Sequence, residues 1–104
     1  MEQAFFLPDW RDKVIFSAGG PQPQVLREDD TIKVVVVGLE PGGQIPVHPE
    51  SFGVYHFLEG AGQMHTGNET FEVQAGGTVV VPGGASRGMM AHTRLAFIAV
   101  RIAG

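Results

Sequence analysis

The run Thr31-Ile-Lys-Val-Val-Val-Val-Gly-Leu-Glu40 decides the fold class. Its four consecutive valines are β-branched and stiff at χ1, so they favour the extended backbone over the helix. Along a strand, side chains alternate between faces, and here both faces are apolar. Such a strand lies between two layers or is buried at a subunit contact. Glu40-Pro-Gly-Gly43 then reads as a turn, and five more short segments read as strands: 54–58, 63–66, 70–73, 78–81 and 95–102. Gly67-Asn68 can supply the positive backbone angles of a hairpin turn, while Gly76-Gly77 and Pro82-Gly-Gly84 bracket Thr78-Val-Val-Val81.

Fifteen glycines and seven prolines cut the chain into pieces too short for a sustained helical period, so the chain reads as all-β, a small barrel or sandwich. With 104 residues there is room for one hydrophobic core. The stretch Ser17-Ala-Gly-Gly-Pro-Gln-Pro-Gln24 is expected to be irregular. The domain is therefore expected to comprise an N-terminal arm or flap, residues 1–24, and a barrel, residues 25–104.

A formal net charge of -4, with Lys and Arg scattered, argues against nucleic acid or an anionic membrane surface as partner. The absence of cysteine removes disulfides, thiolate ligands and a cysteine nucleophile, which fits a reducing cytoplasm. The N-terminal apolar run is too short for a signal-peptide core, and no segment reaches the length of a membrane span. The expectation is a soluble, cytoplasmic protein with a small-molecule or protein partner.

The order of turns and strands from about Val34 to Val100 resembles the cupin superfamily of jelly-roll β-barrels. Gly42, His48, Glu50 and Gly60 occupy the frame of the first cupin motif, with Leu58-Glu59-Gly60 at its usual end. Gly76, Pro82 and Gly84 fit the second. The resemblance implies a cupin-type jelly-roll β-barrel and a site where the family presents three histidines and a glutamate. Of these ligands only His48 remains. Glu50 stands at the second histidine, Gly53 at the glutamate and Arg87 at the third histidine, and Ala91 replaces the motif's asparagine.

In that frame His48, Glu50 and Arg87 face the barrel interior. A guanidinium stays protonated and repels a divalent cation, so Arg87 is expected to take the place of the metal's charge and to pair with Glu50. Breaking such a buried pair would cost roughly 3–5 kcal/mol. Tyr55, Phe57, Met64 and Met89 are expected to line an apolar pocket around it. The favoured function is metal-free binding of a small molecule, one bearing a carboxylate or a phenol.

Two alternatives stand beside it. One is a metal-dependent cupin enzyme of oxygenase or isomerase type, with Zn, Fe or Mn held by His48, Glu50 and His92. The other is a structural dimer without a ligand. Among the further donors weighed, His56 falls on the outward parity and His65 beside the hairpin turn, while Gln63 adds an amide oxygen. Ser51 and Ser86 sit in no nucleophile-elbow pattern. A homodimer is expected in any case, from the doubly apolar strand over 32–37 and from Phe5, Phe6, Leu7 and Trp10 in the arm.

Overall fold

The computed structural model describes residues 3–103. After a 3-10 turn at Trp10–Asp12, in which the Arg11 N–H is capped by the Asp9 carboxylate, the chain runs through β1 (Gln24–Glu28), β2 (Ile32–Leu39), β3 (Gln44–Pro49), β4 (Phe52–Glu59), β5 (Ala61–Thr66), β6 (Glu69–Gln74), β7 (Thr78–Val81), β8 (Ser86–Ala91) and β9 (Leu95–Ile102). One antiparallel sheet has the order β1-β2-β9-β4-β7 and the other β3-β8-β5-β6. The all-β barrel expected from the valine run and the turn glycines is the architecture observed.

The core lies between the two sheets and follows the period of two along each strand. Val35, Val37 and Leu39 on β2, Tyr55 and Phe57 on β4, and Leu95, Phe97 and Ala99 on β9 face Met64, Val73, Met89 and Ala91 on the second sheet. The same parity turns Arg87 inward on β8, where it is 2% exposed. The hairpin from β5 to β6 turns at Gly67, whose φ of 59° supplies the left-handed conformation a two-residue loop needs. Gly60 has φ 85°, and any side chain there would run into the Arg94 carbonyl.

Three strands stand where local pattern carries no strand signal. β1 and β3 are edges of their sheets. Pro46 and Pro49 lie within β3, tolerated because an edge strand can lack ladder donors on its open side. β8, Ser-Arg-Gly-Met-Met-Ala, has little β propensity and is held as a strand by neighbours on both sides, β3 and β5.

The outer face of β2 explains why its valine run is apolar on both sides. Val36 is fully buried. Gly38 lies under the N-terminal arm: a Cβ there would stand 2.7 Å from the Phe16 ring and 2.8 Å from the Ile15 carbonyl. The Arg94 guanidinium lies over that ring, 4.2 Å from its centroid, and is itself fixed by a 2.8 Å bond to Glu40. The arm is thus a second layer on β2, pinned by Phe16 and continuing into β1. Replacing Gly38 with Ala should push the arm off this seat at a cost of about 1–3 kcal/mol. Chemical denaturation and limited proteolysis within 17–23 check this; an unchanged midpoint and cleavage rate would contradict the packing.

Candidate functional site

The inner end of β8 builds the site around a single guanidinium. Arg87 Nε and Nη2 donate to the Ala85 carbonyl at 3.3 and 3.1 Å, and Nη2 also reaches the carbonyls of Glu50 at 3.1 Å and Pro82 at 3.2 Å. Nη1 donates to the Tyr55 hydroxyl at 3.1 Å. Three of these acceptors belong to backbone that leaves the sheets: the link from β3 to β4 and the turn from β7 to β8. That turn folds back so that the Gly84 N–H bonds the Glu50 carbonyl at 2.8 Å, which gathers the oxygens around one cation. Gly53 makes the room, since a Cβ there would stand 2.6 Å from Arg87 Nη1.

The expected ion pair between the Glu50 carboxylate and Arg87 does not form. Glu50 offers Arg87 its backbone carbonyl and sends its carboxylate to Arg101 Nη1 at 2.9 Å. The physical reason is that backbone oxygens and Tyr55 already surround Arg87, while Arg101 shares the inward parity of Leu95, Phe97 and Ala99 and lies nearer the Glu50 side chain. Arg101 went unrecognised in the sequence, although that parity in the last strand marks it as inward-facing. Hydrogen bonding from the Ser51 N–H holds the Glu50 carboxyl below the usual carboxylate range; partial burial opposes this and the Arg101 charge adds to it.

Beside this polar end lies a cavity of about 200 Å³ with mostly apolar walls. Val35, Val37, Tyr55, Phe97 and Ala99 come from the first sheet and Ile45, Met64, Arg87 and Met89 from the second, with His48, Arg101, Pro21 and Pro23 also in the lining. Of the residues read from the sequence as pocket residues, His48, Tyr55, Met64, Arg87 and Met89 lie in this lining. Phe57 does not: it sits one inward position further along β4, wholly buried, its ring centroid 5.7 Å from that of Phe97. Glu50 also lies off the cavity and instead borders a surface hollow with Asp29, Lys33 and Arg101. The prolines of the arm could not have been placed over the cavity from local pattern alone.

His48 is half-exposed at the rim. Its Nδ1 donates to the Pro46 carbonyl at 2.9 Å, which leaves Nε2 facing Glu50 at 3.9 Å. The alternative metal set of His48, Glu50 and His92 is not assembled. β3 and β8 are antiparallel with His48 opposite Arg87 and Gln44 opposite Met90, so His92 follows the far end of β8, where it meets Glu72 at 3.2 Å. His56 and His65 face outward onto Thr78 and Thr70, each at 2.8 Å. Among the described residues no group of three or more His, Asp or Glu side chains is arranged to hold a metal ion. With a guanidinium aimed into the space, the donor set does not fit a divalent cation.

No family model and no curated protein matches the chain in sequence. Solved structures match it in fold. A conserved protein of unknown function from Streptococcus pyogenes superposes with a TM-score of 0.86 at 22% identity, over 100% of this chain and 91% of that one. An uncharacterized conserved protein with a double-stranded β-helix domain from Klebsiella pneumoniae gives 0.84 at 25% identity, over 97% and 90%. An RmlC-like cupin from Shewanella frigidimarina gives 0.80 at 20% identity, over 100% and 96%. In fold the chain is a small cupin-type domain, a double-stranded β-helix.

Two measurements follow from this geometry. Double-mutant cycles should place a coupling of about 0.5–1 kcal/mol between the side chains of Glu50 and Arg101, since the pair is partly exposed, and close to none between Glu50→Gln and Arg87→Lys. The reverse order would contradict the assignment of partners. Because the folded pKa of Glu50 lies below its unfolded value, its contribution to stability is present above the unfolded pKa and is lost as pH falls through the folded one. Acid titration of unfolding should therefore show a shallower loss of stability for Glu50→Gln than for the native chain; superimposable curves would contradict it.

Proposed function

We propose that this chain is a small-molecule-binding domain that works without a metal, its ligand held in the apolar cavity beside Arg87, with His48 and Arg101 at the rim. The observation that carries the reading is a cavity of about 200 Å³ whose walls are apolar and whose polar end is a buried guanidinium. Binding sites combine mostly apolar walls with a few convergent polar groups, and this cavity has that composition at small scale. Apolar cavities of about 150 Å³ admit a benzene ring. No reaction is part of the proposal, and nothing in the arrangement of His56, His65 or His92 favours the metal-dependent enzyme.

A homodimer belongs to the same proposal. Across the outer face of the first sheet, Val34, Val100, Val54 and Val80 stand in one register row, and Ile32, Ile102 and Phe52 in another. Val80, Ile102 and Phe52 are exposed, as are Phe5 and Phe6 in the arm. A twofold pairing of this face would cover both rows. No helix among the described residues is long and apolar enough to cross a membrane. The cysteine-free composition accords with the cytoplasmic setting we assign.

The test joins metal content to occupancy of the cavity. Untagged protein should carry transition metal far below one equivalent per chain, and toluene should shift the ε-methyl NMR signals of Met64 and Met89 saturably. Stoichiometric zinc, iron or manganese would overturn the metal-free reading, and methyl signals indifferent to every small probe would overturn the binding reading. Light scattering at micromolar concentration should report twice the mass of one chain; a monomer would remove the homodimer.

A further inference from the structure

Counting hydrogens at the polar end of the cavity leaves two unassigned. Arginine has five N–H donors and no acceptor, whereas a phenol has one O–H and accepts as well. The Nε and Nη2 hydrogens of Arg87 are taken by the carbonyls of Ala85, Glu50 and Pro82. One Nη1 hydrogen goes to the Tyr55 oxygen, and the second meets no acceptor among the described residues. Having accepted from Arg87, Tyr55 has its own O–H still to donate, and that too meets none among the described residues. Both side chains line the cavity, and both are more than nine-tenths buried.

The charge balance points the same way. Among the described residues all four acceptors around Arg87 are neutral, and no carboxylate is in contact with its buried positive charge. Taking a cation out of water is costly, and dipoles of carbonyl groups offset this only in part. Among the described residues the cavity lining contains Arg87 and Arg101 but no aspartate or glutamate. Glu50, the nearby carboxylate, is held by Arg101 outside that lining. An occupant that brings an anionic oxygen to the free donors would complete both the hydrogen bonding and the charge.

We infer that Arg87 and Tyr55 form a two-donor receptor for the carboxylate of a small apolar acid. This deepens the binding reading above and rests on it. One carboxylate oxygen takes the spare Nη1 hydrogen and the other, or the same one, takes the Tyr55 O–H. The apolar remainder lies against Val35, Val37, Met64, Met89 and Phe97. The arginine does not clamp the acid by a parallel pair of its own N–H groups, because the carbonyls of the turn from β7 to β8 and of Glu50 occupy the Nε and Nη2 hydrogens that such a fork would need.

The test uses the Met64 and Met89 ε-methyl signals of the full chain at neutral pH, titrated with benzoate, with benzamide as the uncharged molecule of the same shape, and with toluene. Benzoate is expected to bind at least about tenfold more tightly than benzamide, as a charge-assisted bond exceeds a neutral one. Tyr55→Phe should lower benzoate affinity about tenfold and leave toluene unchanged, because it removes one charge-assisted donor and keeps the ring. Since Arg87 holds the fold together, Tyr55→Phe rather than an Arg87 variant carries the test. Toluene or benzamide binding with no preference for benzoate would overturn the receptor while leaving the cavity reading intact. Equal benzoate affinity in Tyr55→Phe would also overturn it. If none of the three probes moves the methyl signals, the receptor and the proposed function fall together.

Discussion

The arrangement of the site depends on a positive charge that has left water. The Arg87 guanidinium is 2% exposed and is held by the carbonyls of Glu50, Pro82 and Ala85 and by the Tyr55 hydroxyl. A buried cation without such partners would be far too costly to keep, so these oxygens must be where they are. Two are in the turn from β7 to β8, one is in the link from β3 to β4, and one is on the inward face of β4. The guanidinium thus joins the two sheets at one end of the barrel. Gly53 belongs to the same constraint, because its bare backbone is what leaves space for Nη1.

From this constraint the rest of the site follows. With Arg87 surrounded by backbone oxygens, the Glu50 carboxylate is free to meet Arg101, and His48 remains at the rim with its Nδ1 held by Pro46. The cavity behind them keeps apolar walls and two arginines, the features from which we propose an apolar anion as its ligand. The arm completes the enclosure. Phe16 seated on Gly38 fixes its course, and Pro21 and Pro23 then lie against the cavity.

Much of the fold was legible in the sequence because the decisive strands are locally strong. The valine run of β2, Thr78–Val81 and Leu95–Ile102 are β-branched or aromatic-rich and lie between clear turn residues, so local preference and tertiary position agree. β3 and β8 were not legible because they disagree. Pro46 and Pro49 argue against a strand until β3 is known to be an edge, and Gly88 with Met89 and Met90 carries no strand preference until neighbours supply one. The inward position of Arg87 could be read from the motif frame, whereas its parity on β8 could not, since β8 itself was not legible as a strand. Which atom of Glu50 it would meet could not, since a residue's type does not say whether its carboxylate or its carbonyl will be used. Arg101 and the two prolines depend on contacts distant in sequence.

The measurement that bears most directly on this account is nitrogen NMR of the arginine side chains. One guanidinium, that of Arg87, is expected to show hindered rotation, resolved Nη hydrogens and slow exchange with water, because four oxygens hold it inside the barrel. These features should persist in Glu50→Gln, whose carbonyl is unchanged, and the Nη1 signals should move in Tyr55→Phe. An Arg87 guanidinium that rotates and exchanges like those on the surface would contradict the buried cation on which the whole reading stands.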